Sequence, residues 1–164
     1  LFAADWNGQS IGVRYLLPDT ATVLEDAGTQ VVGAGIEVSG AVFGSFNVDL
    51  SAVQIVITFL PDDLSIPAQV FSGFRFNDAL SAAPSLVGVT LNGALTTVVG
   101  LSPSAVPWDA DNVYVNLSEV SGAAGAAAVI DLSFDSVPEA SAWAAWLVAV
   151  PVIGYCLRRR ARRG

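Results

Sequence analysis

An all-β fold, an antiparallel two-sheet β-sandwich with one transmembrane α-helix appended C-terminally, is what this 164-residue chain predicts. Three observations predict it. Apolar and polar residues alternate with a period close to two from Ser10 to Phe134. Clusters of Gly, Pro, Asn and Asp interrupt that stretch at short intervals, as they do between the strands of a sandwich. Finally, the 18 residues from Ala140 to Leu157 carry no charge and run directly into arginines. The chain divides accordingly into an N-terminal segment 1–9, a β-sandwich 10–136 and a tail 137–164.

Leu1-Phe2-Ala3-Ala4 has the small-residue ending of a signal peptide and predicts a processed start. Strands are then expected over Ile11 to Leu17, Thr29 to Val32, Gly35 to Phe43 and Ser45 to Asp49. Leu17-Pro18-Asp19 and Asp26-Ala27-Gly28 supply turns between them. Val53, Ile55, Ile57 and Phe59 alternate with Gln54, Val56, Thr58 and Leu60, a β-branched run whose two faces both read as largely covered. After Pro61-Asp62-Asp63, the alternation of Val70, Ser72, Phe74 and Phe76 with Phe71, Gly73, Arg75 and Asn77 predicts the next strand. Leu86 to Leu91 and Leu95 to Val99 flank Asn92-Gly93, a dipeptide suited to a two-residue hairpin turn. Ser102-Pro103-Ser104 leads on to Asn112 to Leu117, and Ile130 to Asp135 closes the region; both are half-buried strands with one wet face. Gly122 to Ala128 fits either a turn or one short helical turn.

The tail predicts location. An 18-residue helix over 140–157 is about 27 Å long, close to the hydrocarbon thickness of a bilayer. Trp143 and Trp146 fall in its first turns, where an interfacial aromatic belt belongs, and Arg158, Arg159, Arg160, Arg162 and Arg163 follow its last apolar residue. Positive flanks stay in the cytoplasm, so the arginine cluster 158–163 is expected inside and the β-domain outside the cytoplasm. Pro151 would break a soluble helix, but is tolerated in lipid when a neighbour satisfies the freed carbonyl. Together with Ala144, Ala145, Ala149 and Gly154, which allow close helix approach, it predicts a helical partner.

Residues 1–139 hold only Arg14 and Arg75 against 15 acids, a net charge of −13. Such a surface repels phosphate backbones and excludes nucleic acid as a partner. Histidine is absent and Cys156, the single cysteine, lies in the expected span. That excludes a Ser-His-Asp or Cys-His nucleophile, a thiolate metal site and an intrachain disulfide. No cofactor motif is present: Gly33-Ala34-Gly35 and Gly122 to Gly125 do not open helices, as a phosphate cradle requires. Asp109 and Asp111 cluster oxygens before a strand and are weak candidates for Ca²⁺, without the spacing of a calcium loop. Asp62-Asp63 reads as a solvated turn, and Asn116-Leu117-Ser118 matches a glycosylation sequon. Arg75, between Phe74 and Phe76, is expected to pair with a carboxylate such as Asp78 or Asp49.

Val137-Pro138-Glu139, the Trp-containing apolar stretch and the arginine cluster together resemble the PEP-CTERM sorting tail of exported bacterial proteins. The β-rich region resembles domains that carry such tails through Tyr15 to Thr20, Ser72 to Asp78 and Trp108 to Asn116. The resemblance implies export of a Gram-negative type, hence a bacterial inner membrane with the β-domain periplasmic, and recognition by an exosortase. Ala140 stands where the pattern has a second proline, which predicts a tail that is kept. The expected role is a non-enzymatic accessory subunit that uses its span and its β-domain to bind other subunits of a membrane assembly, photosynthetic or otherwise energy-converting. The alternatives are an exosortase-sorted surface or exopolymer-matrix protein and a calcium-dependent carbohydrate-binding module.

Overall fold

In a computed structural model, residues 4–135 are described, and Asp5–Asp135 form one compact unit. The unit is all-β with antiparallel pairing throughout. Strands β1 (Ser10–Leu16), β2 (Val23–Val31), β7 (Gly73–Asp78) and β9 (Asn112–Asn116) make a four-stranded sheet in the order β2-β1-β7-β9. Strands β3 (Ile36–Gly40), β4 (Phe46–Leu50), β5 (Gln54–Phe59), β8 (Leu86–Leu91) and β11 (Ala127–Phe134) make a five-stranded one in the order β3-β4-β5-β11-β8. β6 (Leu64–Ser65) and β10 (Ser121–Gly122) pair as a short ribbon.

Alternation explains the core. Ile11, Val13 and Tyr15 of β1, Phe74 and Phe76 of β7, and Val113 and Val115 of β9 are buried together with Phe46, Val48, Leu50, Ile55, Ile57, Phe59, Ala128 and Ile130 of the other sheet. Phe46 joins the two layers. Its ring lies 5.9 Å from Tyr15 and 5.5 Å from Phe74 in the opposite sheet and 5.1 Å from Phe59 in its own. Two antiparallel sheets facing one apolar core is the arrangement expected of a sandwich. Trp6 closes one end, donating its backbone N–H to Ala52 at 2.9 Å with its ring 5.8 Å from Phe134.

Several expectations are corrected. Leu95 to Val99 is not a strand; only Val99 forms an isolated bridge, to Ser121. Gly93 is not among the glycines with positive φ, whereas a tight two-residue hairpin needs left-handed backbone there. Asn92 instead caps a wider turn, its side-chain oxygen accepting from Ala94 and Leu95 N–H at 3.2 and 3.1 Å. β8 therefore pairs with β11, some forty residues on, rather than with its neighbour in sequence. β5 covers one face only: Ile55, Ile57 and Phe59 are buried, Gln54, Val56 and Thr58 are half-buried, and Val53 and Leu60 are exposed. β2 begins at Val23, earlier than expected, because it is an edge strand with mostly exposed side chains and little apolar period.

The segment 140–157, expected to be a transmembrane helix, lies outside the described residues, as do Val137, Pro138, Glu139, Trp143, Trp146, Pro151, Gly154, Arg158, Arg159 and Arg160. Among the described residues no helix is long and apolar enough to cross a membrane.

Candidate functional site

The two cations of the described residues lie on the outer face of the four-stranded sheet. Side chains alternate across a strand, so Gly12, Arg14, Gly73, Arg75, Asn77, Asn112, Tyr114 and Asn116 share the face turned away from the core. The register sets Asp26, Arg14, Arg75 and Tyr114 side by side across β2, β1, β7 and β9. Arg14 and Arg75, the two cations expected to stand alone in an acidic domain, are thus direct cross-strand neighbours, an unfavourable like-charge pairing.

Only one of the two is neutralised among the described residues. Arg14 Nε donates to Asp26 Oδ2 at 2.9 Å. Arg75 pairs with neither expected carboxylate. Asp49 belongs to β4 in the other sheet, and Asp78 spends its oxygens on Leu80 N–H at 3.1 Å and Ala83 N–H at 2.9 Å. Among the described residues the Arg75 guanidinium makes one long bond, from Nη2 to Asn77 Oδ1 at 3.4 Å, and its Nε is buried without a partner. An orphaned buried donor costs about 1–3 kcal/mol. Tyr114 is fixed beside it, because Phe71 packs edge-on against its ring at 6.2 Å and 90°. Gly12 keeps the row open next to Asn77: a Cβ there would sit 2.7 Å from Asn77 Oδ1.

Asp109 and Asp111 flank this face at the start of β9. Asp109 Oδ1 accepts from Asp111 N–H and Asn112 N–H, both at 2.9 Å, and from Asn112 Nδ2 at 2.8 Å. The Asn112 side chain and then the Asp111 N–H hold the Asp109 carboxyl below the usual carboxylate range. Its oxygens are engaged in an Asx-type turn, the structural role such a motif ordinarily plays. No cluster of three or more metal-ligating acidic, His or Cys side chains occurs among the described residues. Excess Ca²⁺ is accordingly expected to leave the melting temperature unchanged; a rise abolished by Asp111→Ala would contradict this.

Asn116 is similarly engaged. Its Oδ1 accepts from Ser72 N–H at 3.1 Å and Ser118 N–H at 3.0 Å, and its Nδ2 donates to Val70 O at 3.4 Å, which staples the segment before β7 onto the sheet. Elsewhere, a cleft of about 290 Å³ lies along the β6–β10 ribbon, lined by Asp63, Leu64, Val99, Ser121, Gly122 and Ala123. Asp62 is exposed in the turn beside it, as read from the sequence.

One buried titratable side chain, Tyr15, is structural. The Tyr15 hydroxyl and Ser72 Oγ lie 2.8 Å apart, and burial raises the Tyr15 phenol above its ordinary 10.0, partly offset by that bond. The unfolded chain therefore releases this proton first. The stability it contributes is complete below pH ~10 and declines above, as the pH climbs toward the raised folded value. Tyr15→Phe is expected to flatten that alkaline loss while costing about 1 kcal/mol at neutral pH, through the Ser72 hydroxyl left behind; melting curves between pH 7 and 11 test both.

A strained turn at one end of the sheets had no sequence signal. Between β3 and β4 the chain forms a single turn, Ala41–Gly44, in which Val42, Phe43 and Gly44 have positive φ, as does Gly40 just before it. Left-handed backbone costs an ordinary L-residue about 1–2 kcal/mol and is least tolerated by a β-branched one. The turn is held by Gly40 N–H to Asn47 Oδ1 at 3.0 Å, Val42 N–H to Glu25 Oε2 at 2.9 Å and Ser45 N–H to Ala41 O at 3.0 Å. It leaves Phe43 91 % exposed.

No family model, curated protein or solved structure matches the chain.

Proposed function

We propose that this chain is a non-enzymatic accessory subunit, an anchored β-sandwich on the outer side of a bacterial inner membrane that binds and braces a larger membrane-protein assembly. The tail with its Val137-Pro138-Glu139 motif, apolar stretch and arginines supports the anchoring and the orientation. A photosynthetic or other energy-converting complex is the kind of assembly that such a single-span brace serves.

The observation that carries the binding role is Phe43. Strain held in place by surrounding hydrogen bonds points to a use for the strained residue, and here its result is a solvent-projected aromatic ring. Aromatic anchors dominate protein–protein contacts because they bury much area with few rotatable bonds. Position supports the same role. Phe46 follows the turn at one end of β4, while Leu50 at the other end leads to the Ser51–Val53 bend that accepts from Trp6 and Leu132 N–H. Asp135, where the described chain continues toward the tail, lies beyond Phe134 at that second end. Phe43 is therefore about a strand length, ~20 Å, from Asp135.

The test is purification in mild detergent with mass spectrometry of what accompanies the chain. The expected result is a stoichiometric membrane complex retaining residues 140–164, from which Phe43→Asp releases the protein at least about tenfold more readily without lowering its own melting temperature. Cleavage near Glu139 with release into the cell-surface matrix would overturn the proposal in favour of exosortase sorting.

A further inference from the structure

We propose that the outer face of the four-stranded sheet is a binding site for a carboxylate-bearing sugar, a uronic-acid residue set in an otherwise neutral glycan, gripped by Arg75 with Arg14. Three features converge. The first is placement. Residues 4–135 contain 14 of the chain's 15 acids, all but Glu139, and two cations, and the fold sets those two cations opposite each other in the β1–β7 register. Dispersal among the acids would have been cheaper, since like charges facing each other across strands destabilise a sheet.

The second is unspent hydrogen-bonding capacity. A guanidinium offers five N–H donors in a planar fork, yet among the described residues Arg75 makes one long bond, to Asn77, and its buried Nε has none. Arg14 spends Nε on Asp26, its one bond among the described residues. A carboxylate laid against the Arg75 fork would accept two parallel N–H bonds, and its charge would cancel the repulsion between the two arginines.

The third is the surroundings. Tyr114, held edge-on by Phe71, puts an aromatic ring and a phenol beside Arg75, and Asn77 adds a carboxamide on the other flank. These neutral hydrogen-bonding groups and a ring face suit the hydroxyls and C–H face of a pyranose. The acidic remainder of the domain repels a polyanion, which limits the ligand to isolated carboxylates. Asp26 competes for the same guanidinia: the Arg14 bond and then the Gly28 N–H hold its carboxyl below the usual range, so it stays ionised and orients Arg14.

Isothermal titration of the full chain in nanodiscs with sodium glucuronate, glucose, acetate and an acetylated aspartate amide tests the assignment. The expected result is binding of glucuronate, at least about tenfold weakened by Arg75→Gln and less by Arg14→Gln, with glucose, acetate and the aspartate derivative all weaker. Arg75→Lys, which keeps the charge but loses the fork, is expected to fall between wild type and Arg75→Gln. Absence of glucuronate binding, equal binding of glucose, or retention of affinity in Arg75→Gln would overturn the site. Equal binding of the aspartate derivative would overturn the sugar as its ligand. Should Arg75→Gln fail to fold, Arg75→Lys and Arg14→Gln decide the question by the same criterion, unchanged affinity in both overturning it.

Discussion

Phe46→Ala is expected to destabilise the domain by about 3–5 kcal/mol, the range for emptying a fully packed aromatic site. The expected size follows from position. Phe46 is 2 % exposed and touches Tyr15 and Phe74 across the layers and Phe59 within its own, the last two edge-to-face. Edge-to-face pairs add about 0.5–1.5 kcal/mol beyond area burial, and rings fixed in two sheets have little room to collapse into the space left. In a unit of this size the loss corresponds to a melting temperature lower by roughly 10–20 °C. Phe46→Leu refills most of the volume and should recover more than half of the loss. Differential scanning calorimetry of both variants measures the difference, and a Phe46→Ala loss below ~1 kcal/mol would mean that the sheets do not meet on this residue.

Gly73→Ala is expected to be clearly destabilising although it adds only one methyl group. Gly73 opens β7 and pairs with Asn116 of β9, and a Cβ built on it runs into the backbone carbonyl of Val115 and stands 3.1 Å from the Asn116 Cα. Those atoms belong to the strand itself, so nothing flexible yields. Either β9 moves off or the β7–β9 pairing breaks at that point, and overpacking of this kind costs about 1–3 kcal/mol or more. The expected sign in calorimetry is a fall in melting temperature of at least ~5 °C. Gly88→Ala provides the contrast: its Cβ would approach only the Ser133 side chain, at 3.4 Å, and should be tolerated. Equal tolerance of both substitutions would refute the close approach at Gly73.

What could be read from the sequence was what depends on neighbours in the chain. Val113 and Val115 against Asn112, Tyr114 and Asn116, and Ile130 and Leu132 against Asp131 and Ser133, declare half-buried strands because burial alternates with the pleat. Only the end of β2, from Thr29, was legible because an edge strand buries little, and Asn92-Gly93 misled because a hairpin signal says nothing of a partner strand forty residues away. β6 and β10 are two residues each, too short for any period. The candidate site was legible only in part. Arg75 stood out between two phenylalanines in an acidic region, but its juxtaposition with Arg14 depends on a register between residues 61 positions apart. Phe43 had no signal at all, since Ala41-Val42-Phe43 reads as the end of a strand and left-handed backbone is expected of glycine, not of valine.

The place of β11 also governs when the protein can become a protein during synthesis. This strand is the last to be made among the described residues, yet it lies inside its sheet between β5 and β8. Until residue 134 has emerged, β5 and β8 present raw hydrogen-bonding edges with apolar faces and cannot substitute for one another. Assembly dominated by such distant pairings is slow, and unpaired edges invite association with other nascent chains. A chain stopped before Ala127 would thus yield an aggregation-prone fragment instead of a smaller domain, and the growing polypeptide needs protection until β11 has emerged.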